Sequence, residues 1–334
     1  MSAPTGCPVL PQAAALAEIC RRNFQRPRPD GRIPRQFHDK PHACLAGSLT
    51  IEPPAEPALR HGLFARPGRY PALIRFSNAF FADDRTPDGM GAAIKLTGVE
   101  GEVCEGAPPG EQDFLFNDVP TGAAADAAAA AALFSALDGV AQITPVALLA
   151  PRYAVPSLLP PRLRWRYLAL LLRTAWQHLQ GRDLARTSFY SVTPYALGEG
   201  ATKYELRPDA TTRRRMPGRD IAERLQAVLD QGPLGFDFML QPRLRPDDPL
   251  DDASRPWRSP RFRAGRLEIP PQDVAASAAR GEGLAFNPWN CLAAHRPLGS
   301  LNALRGTLYR ASAAARGCPG AAASPPSQDP RPRD

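Results

Sequence analysis

The apolar positions follow two periods along the chain. From residue 44 to 53 (CLAGSLTIEP) and from 70 to 79 (YPALIRFSNA) they alternate with polar ones, and GAAIKLTGV at 91–99 is a short β-like run closed by glycine. Alternation is the mark of a strand with one buried face, so this part of the chain reads as strands and turns. The period changes at Ala123–Ala132, nearly pure alanine with Asp126 as its only charge, which predicts a helix. Residues 140–185 read as helical with proline breaks. Within them Trp165, Leu168, Leu172, Trp176 and Leu179 recur at spacings of three and four behind Pro161, which describes an amphipathic helix. Strand character returns at 186–206, where SFYSVTPYAL, a GEG turn and ATKYELRP predict a hairpin. A helix over 219–231, a strand at GFDFMLQPRL and a helix over 302–316 complete the reading, after a short Ala-rich helix at 12–22.

These runs divide the chain into an N-terminal arm (1–31), a dense body (32–317) and a Pro-rich polar tail (318–334) expected to be disordered. A length of 334 residues with 43% hydrophobic content is ample for a large core. The net charge of +8 comes almost wholly from arginine, since only Lys40, Lys95 and Lys203 are lysines. The arginines are scattered and lack the clustering with aromatics that nucleic-acid binding requires, so no nucleic-acid partner is expected. Six cysteines form no C-x-x-C pair, and the N-terminus has no basic region followed by an unbroken apolar one. Both features point to free thiols and a cytoplasmic protein. The 160–179 helix is too short in its apolar run to span a bilayer. Packing against the body or a partner subunit is its preferred role, and contact with a membrane surface the lesser one.

Candidate chemistry begins at RQFHDKPHAC (35–44), where His38 and His42 lie four apart. Pro41 between them disfavours the regular helix that would aim both rings at one metal ion. Other stretches stand out in order: IRFSN at 74–78, GAAIK at 91–95, DFLFNDVP at 113–120, FNPWN at 286–290 and RGTLYRASAAAR at 305–316. Together they resemble the heme catalases, specifically the short bacterial catalase-related peroxidases, over about 32–317. The resemblance implies an α+β fold, an antiparallel β-barrel with surrounding helices that lacks the C-terminal domains of large catalases and binds heme b.

The resemblance also assigns roles. Tyr309 would be the axial ligand of the heme iron. Arg305, four residues earlier and one turn away on a helix, would stabilise its phenolate against an ordinary pKa near 10. Arg35, Arg75 and Arg316 would meet the propionates, because buried carboxylates require partners. His38 would shuttle a proton between the oxygens of a peroxide, Asn117 would position that peroxide, and Ser77 would orient His38. Peroxide reduction through a ferryl intermediate, with a small organic reductant, is the implied activity. The alternatives are turnover of a dedicated organic hydroperoxide and heme binding without catalysis. A homo-oligomer is compatible with the family, although the interlocked tetramer and bound nicotinamide of large catalases are not expected.

The chain departs from the pattern twice. Met90 replaces an arginine before the glycine motif, and Thr121–Ala125 replaces phenylalanines that line the pocket in the family. Phe80, Phe81, Phe116 and Phe134 are the rings available to take their place.

Overall fold

The computed structural model describes residues 6–81, 83–136, 138 and 159–318. Its centre is a closed antiparallel barrel. The strands are β1 (Pro41–Ile51), β2 (Gly68–Asn78), β3 (Met90–Thr97), β4 (Glu111–Asn117), β5 (Phe189–Tyr190), β6 (Tyr195–Leu197), β7 (Gly200–Pro208), β8 (Leu234–Pro242) and β9 (Phe262–Ile269). They run in the order β5-β4-β3-β2-β1-β9-β8-β7-β6, and a further β5–β7 pairing closes eight of them into a ring with β6 appended. Around it the described residues form six α-helices: α1 (Ala13–Phe24), α2 (Ala127–Ala136), α3 (Pro161–Leu179), α4 (Ile221–Asp230), α5 (Val274–Ala278) and α6 (Ser300–Ala315).

Alternation decides what the barrel encloses. Ile74, Ile94 and Phe114 are aligned across β2, β3 and β4, as are Phe76, Ala92 and Phe116, and all are buried in the core. Phe64, Tyr204, Phe236 and Phe238 fill the same interior, with Phe114 and Phe238 edge to face at 4.9 Å, an arrangement that favours paired rings beyond their buried area. The opposite face of β2–β4 carries a second aligned set, Arg75, Ala93 and Leu115, then Ser77, Gly91 and Asn117. A one-residue slip would exchange the two sets and drive Arg75 into the aromatic core, so the register is strongly specified.

The sequence-derived elements are present with three changes. The alanine helix begins at Ala127, because the Asp126 carboxylate accepts from the Ala129 amide (2.8 Å) and caps it. SFYSVTPYAL is two strands, broken at Ser191–Pro194 where Val192 adopts a φ of 64°. The strand β9 is additional. Its alternation is broken by a register shift opposite Phe238 and Met239, so Ala264 and Gly265 are both buried. The helical expectation for 140–158 and the disorder expected of 319–334 lie outside the described residues.

The helix α3 forms where expected but turns the other way. Of the two packing roles expected for its stripe, on the body or on a partner subunit, the first does not hold: Trp165, Leu172, Trp176 and Leu179 are between 63% and 77% exposed while Leu163 and Thr174 are buried.

A buried ion pair joins the barrel to the final helix. Lys95 on β3 donates to Asp113 on β4 at 2.8 Å and also pairs with Glu111. The Asp113 carboxylate is fully buried and accepts from the Asn287 amide (2.9 Å) and the Asn290 side chain (3.1 Å). Trp289, between those two, donates to the Asn302 carbonyl on α6 at 2.9 Å. Burial pushes the Asp113 pKa up to about 6 against the opposing pull of Lys95, so the pair is charged at neutral pH. Removing one partner strands the other charge. Asp113→Ala is therefore expected to cost about 3–5 kcal/mol in urea unfolding, and a loss below about 1 kcal/mol would show that the pair does not hold this junction.

Candidate functional site

Between the outer face of β2–β4 and helix α6 lies a cavity with about 630 Å³ of empty space, its open mouth included. All eight residues singled out from the sequence line it: Arg35, His38, Arg75, Ser77, Asn117, Arg305, Tyr309 and Arg316. They come from four separate segments, and the fold brings them to one place.

One wall is made by the barrel and the loop before β1. His38 has a left-handed φ of 58°, which costs a non-glycine residue about 1–3 kcal/mol. Its neighbours hold it there. The His38 amide donates to the Ala79 carbonyl (2.8 Å), and Asp39 accepts from the Arg35 amide (2.8 Å) while pairing with Arg28 and Arg32. The His38 ring then lies against Gly91, where a Cβ would come within 2.4 Å of it. Gly91 therefore has to be glycine for the ring to occupy this place. Ser77 and Asn117 flank Gly91 on the adjacent strands, and Ser77 Oγ is 3.2 Å from His38 Nδ1. Burial, then the positive charges of Arg75 and Arg305, lower the His38 pKa to about 3. The imidazole is neutral at physiological pH.

The facing wall is α6. Arg305, Tyr309, Ser312 and Arg316 follow at spacings of four, three and four, one face of a helix. The Arg305 guanidinium donates to Thr193 Oγ1 (2.8 Å) and Asn302 Oδ1 (2.9 Å), and its centre is 5.7 Å from the middle of the Tyr309 ring. Thr193 lies in the break between β5 and β6. Burial works against the Arg305 charge, but Tyr195 and Tyr309 more than offset it and raise the pKa.

Three further guanidinium groups lack full partnership. Arg35 donates to the Gly281 and Leu284 carbonyls (2.6 and 2.7 Å), Arg75 to the Asp39 carbonyl (3.1 Å) and Arg316 to the Glu282 carbonyl (3.1 Å). The Nε of each is buried without a partner. Burial depresses the pKa of all three; neighbouring arginines add to it, and the Glu282 carboxylate opposes it only in part. Buried, partly satisfied cations of this kind call for an anionic occupant.

His42 has a separate life. Its Nε2 is 2.8 Å from Asn78 Oδ1, and Asn78 in turn donates to Asp84, the partner of Lys40. His38 and His42 thus engage different neighbours, and among the described residues no cluster of three or more His, Cys, Asp or Glu could hold a metal ion.

Several contributors escaped the sequence reading. Asp39, to which the sequence assigned no role, closes the loop around His38. Arg182 is buried beside Met90 and donates to Asn78 Oδ1 (2.5 Å) and the Gly89 carbonyl (3.3 Å). Met90 itself packs in the barrel core, so the charge missing at 90 has a buried guanidinium next to it. Phe37 and Phe286 line the cavity with Phe116. Phe80 and Phe134 support Phe37, with centroids 5.7 and 5.1 Å from its ring, while Phe81 is in neither group. Of the four rings expected to replace those missing at 121–125, Phe116 alone lines the cavity, and the other two lining rings come from the loop carrying His38 and from FNPWN.

No family model matches the chain, and no curated protein matches its sequence. Solved structures do. A fungal catalase aligns with a TM-score of 0.61 at 15% identity, covering 95% of this chain and 65% of that one. Catalase A from Saccharomyces cerevisiae aligns with a TM-score of 0.59 at 16% identity over 94% of this chain and 66% of that one. A bacterial catalase gives 0.55 at 16% identity, with 96% and 64% covered. The chain thus spans a little under two thirds of the length of these proteins. Its fold is the catalase fold, an eight-stranded antiparallel barrel flanked by helices.

Proposed function

We propose that the protein is a heme-dependent enzyme that reduces peroxides, working as a peroxidase with a small organic reductant and able to disproportionate hydrogen peroxide. One observation carries this reading: a single cavity has His38, Ser77 and Asn117 on one wall, Arg305 and Tyr309 on the other, and three buried arginine Nε atoms without partners between them. Heme b fits that donor set. Its two propionates would satisfy Arg35, Arg75 and Arg316, and Tyr309 would hold the iron through its phenolate oxygen. Phe37, Phe116 and Phe286 supply apolar surface for the macrocycle. When bound, heme supplies a ferric iron that accepts oxidising equivalents from a peroxide and passes them to a reductant.

The chain's own residues handle charge and protons. Arg305 offsets the phenolate charge of Tyr309 across the 5.7 Å between guanidinium and ring. On the other wall, a neutral His38 that donates Nδ1–H to Ser77 leaves Nε2 as a base. It takes the proton from one peroxide oxygen and returns it to the other, while the Asn117 amide holds the substrate in place. The rings around the cavity exclude bulk water and strengthen these interactions. Thr121–Ala125 adds no aromatic side chain to the cavity, which favours organic hydroperoxides as a second substrate class.

Four outcomes are expected, with peroxide turnover by the heme-loaded protein as the central measurement. Tyr309→Phe should shift or abolish the heme absorption band, and an unchanged spectrum would remove Tyr309 from the iron. His38→Ala should lower kcat/KM for peroxide by about 10²–10⁴-fold. Because the lowered His38 pKa keeps the base neutral, the wild-type rate should stay flat between about pH 5 and 8; an acid limb near the ordinary histidine pKa would contradict this assignment. Gly91→Ala should displace the imidazole and cost about 10²-fold in peroxide turnover while heme remains bound.

A further inference from the structure

The outward stripe of α3 takes no part in the chemistry above. Trp165, Leu172, Trp176 and Leu179 lie on one side of the helix and face solvent, while Thr174 on the other side is buried. A soluble body ordinarily turns such a stripe inward. Arg162, Arg166 and Arg173, at spacings of four and seven, run along its border. The segment itself carries one sign of charge: residues 139–182 contain six arginines, the buried Arg182 among them, and no aspartate or glutamate.

We propose that α3 docks the protein on an anionic lipid surface, lying in the plane of the interface with these four side chains in the headgroup boundary and the arginines on the phosphates. Tryptophan suits that depth, because an apolar ring carries a polar N–H. An apolar face rimmed by arginine is the composition of an interfacial helix. Two other occupants fit less well. A two-fold contact with a second copy would oppose arginine to arginine without a carboxylate within reach on this segment. The neighbouring residues 139–158 of the same chain carry Arg152 as their one charge and offer no acid either. Spanning is excluded for the helix itself, since no helix among the described residues is long and apolar enough to cross a membrane.

The test is flotation of the full chain with vesicles of phosphatidylcholine alone or mixed with phosphatidylglycerol. Binding to the mixed vesicles is expected, with weak binding to phosphatidylcholine alone and release by salt. Changing Trp165→Ser together with Trp176→Ser should weaken partitioning roughly tenfold or more. Arg162→Gln, Arg166→Gln and Arg173→Gln should each weaken it about fivefold. All five positions are at least partly exposed, so an unchanged thermal midpoint is expected and verifies the fold of each variant. The proposal is overturned if the chain stays with the soluble fraction, if the tryptophan pair binds like wild type, or if sedimentation shows self-association that the pair removes. The last result would assign the stripe to a second copy. None of these readouts depends on heme, so the outcome is separate from the peroxidase reading.

Discussion

The pairing of Lys95 with Asp113 is the constraint on which the rest depends. A barrel and a helix meet across the cavity, and their relative position has to be fixed from somewhere other than the cavity itself. The Asp113 carboxylate does this by accepting from Lys95 on one side and from the Asn287 and Asn290 groups on the other. Trp289 then ties the same loop to α6 at Asn302, and Asn302 and Thr193 orient Arg305. A buried charge pair is a costly way to join two elements when hydrophobic contact would serve. Here its directionality sets where Tyr309 stands relative to His38.

The two walls manage charge in opposite ways. On the barrel side, an imidazole sits among guanidinium groups that oppose its protonation, which keeps it uncharged and able to accept a proton. On the helix side, Arg305 gains from neighbouring tyrosines what burial takes away. Between them, the arginines at 35, 75 and 316 bear a charge that the polypeptide only partly answers. The cavity is thus poised for an anion along one part of its lining and for neutral chemistry at another.

Much of this was legible in the sequence because the decisive residues fall in a few short motifs that keep one order along the chain. Ser77, Asn117, Arg305 and Tyr309 were named through motifs that resemble a known family, and alternation and helical spacing then agreed with the faces they occupy. On irregular backbone, Arg35 and His38 were legible through their motif, whereas residues given no role by any motif were not. Asp39, Phe37 and Phe286 lie where no period reports which way a side chain points, and Arg182 reaches Asn78 across 104 positions of sequence. The strand β9 was lost because a bulge breaks its alternation, and the split of SFYSVTPYAL turns on a positive φ at Val192 that residue type does not announce. The direction of the α3 stripe could not be read either. Periodicity shows that a helix has two faces, and only the fold says which is turned inward.

The closure of the ring has a consequence of its own. Along β1 and β2 the ladder extends from Pro41 to Ile51, but β4 meets β5 through the single pair Asn117 and Tyr190. A seam of that length has little backbone hydrogen bonding to lose, so it is where the barrel opens at the lowest free energy. It also lies at the end of β4 that borders the cavity. The cavity lies outside the ring, so a change at this seam is felt there through Asn117, while the ladder from β4 through β1 and β9 to β7 is left intact.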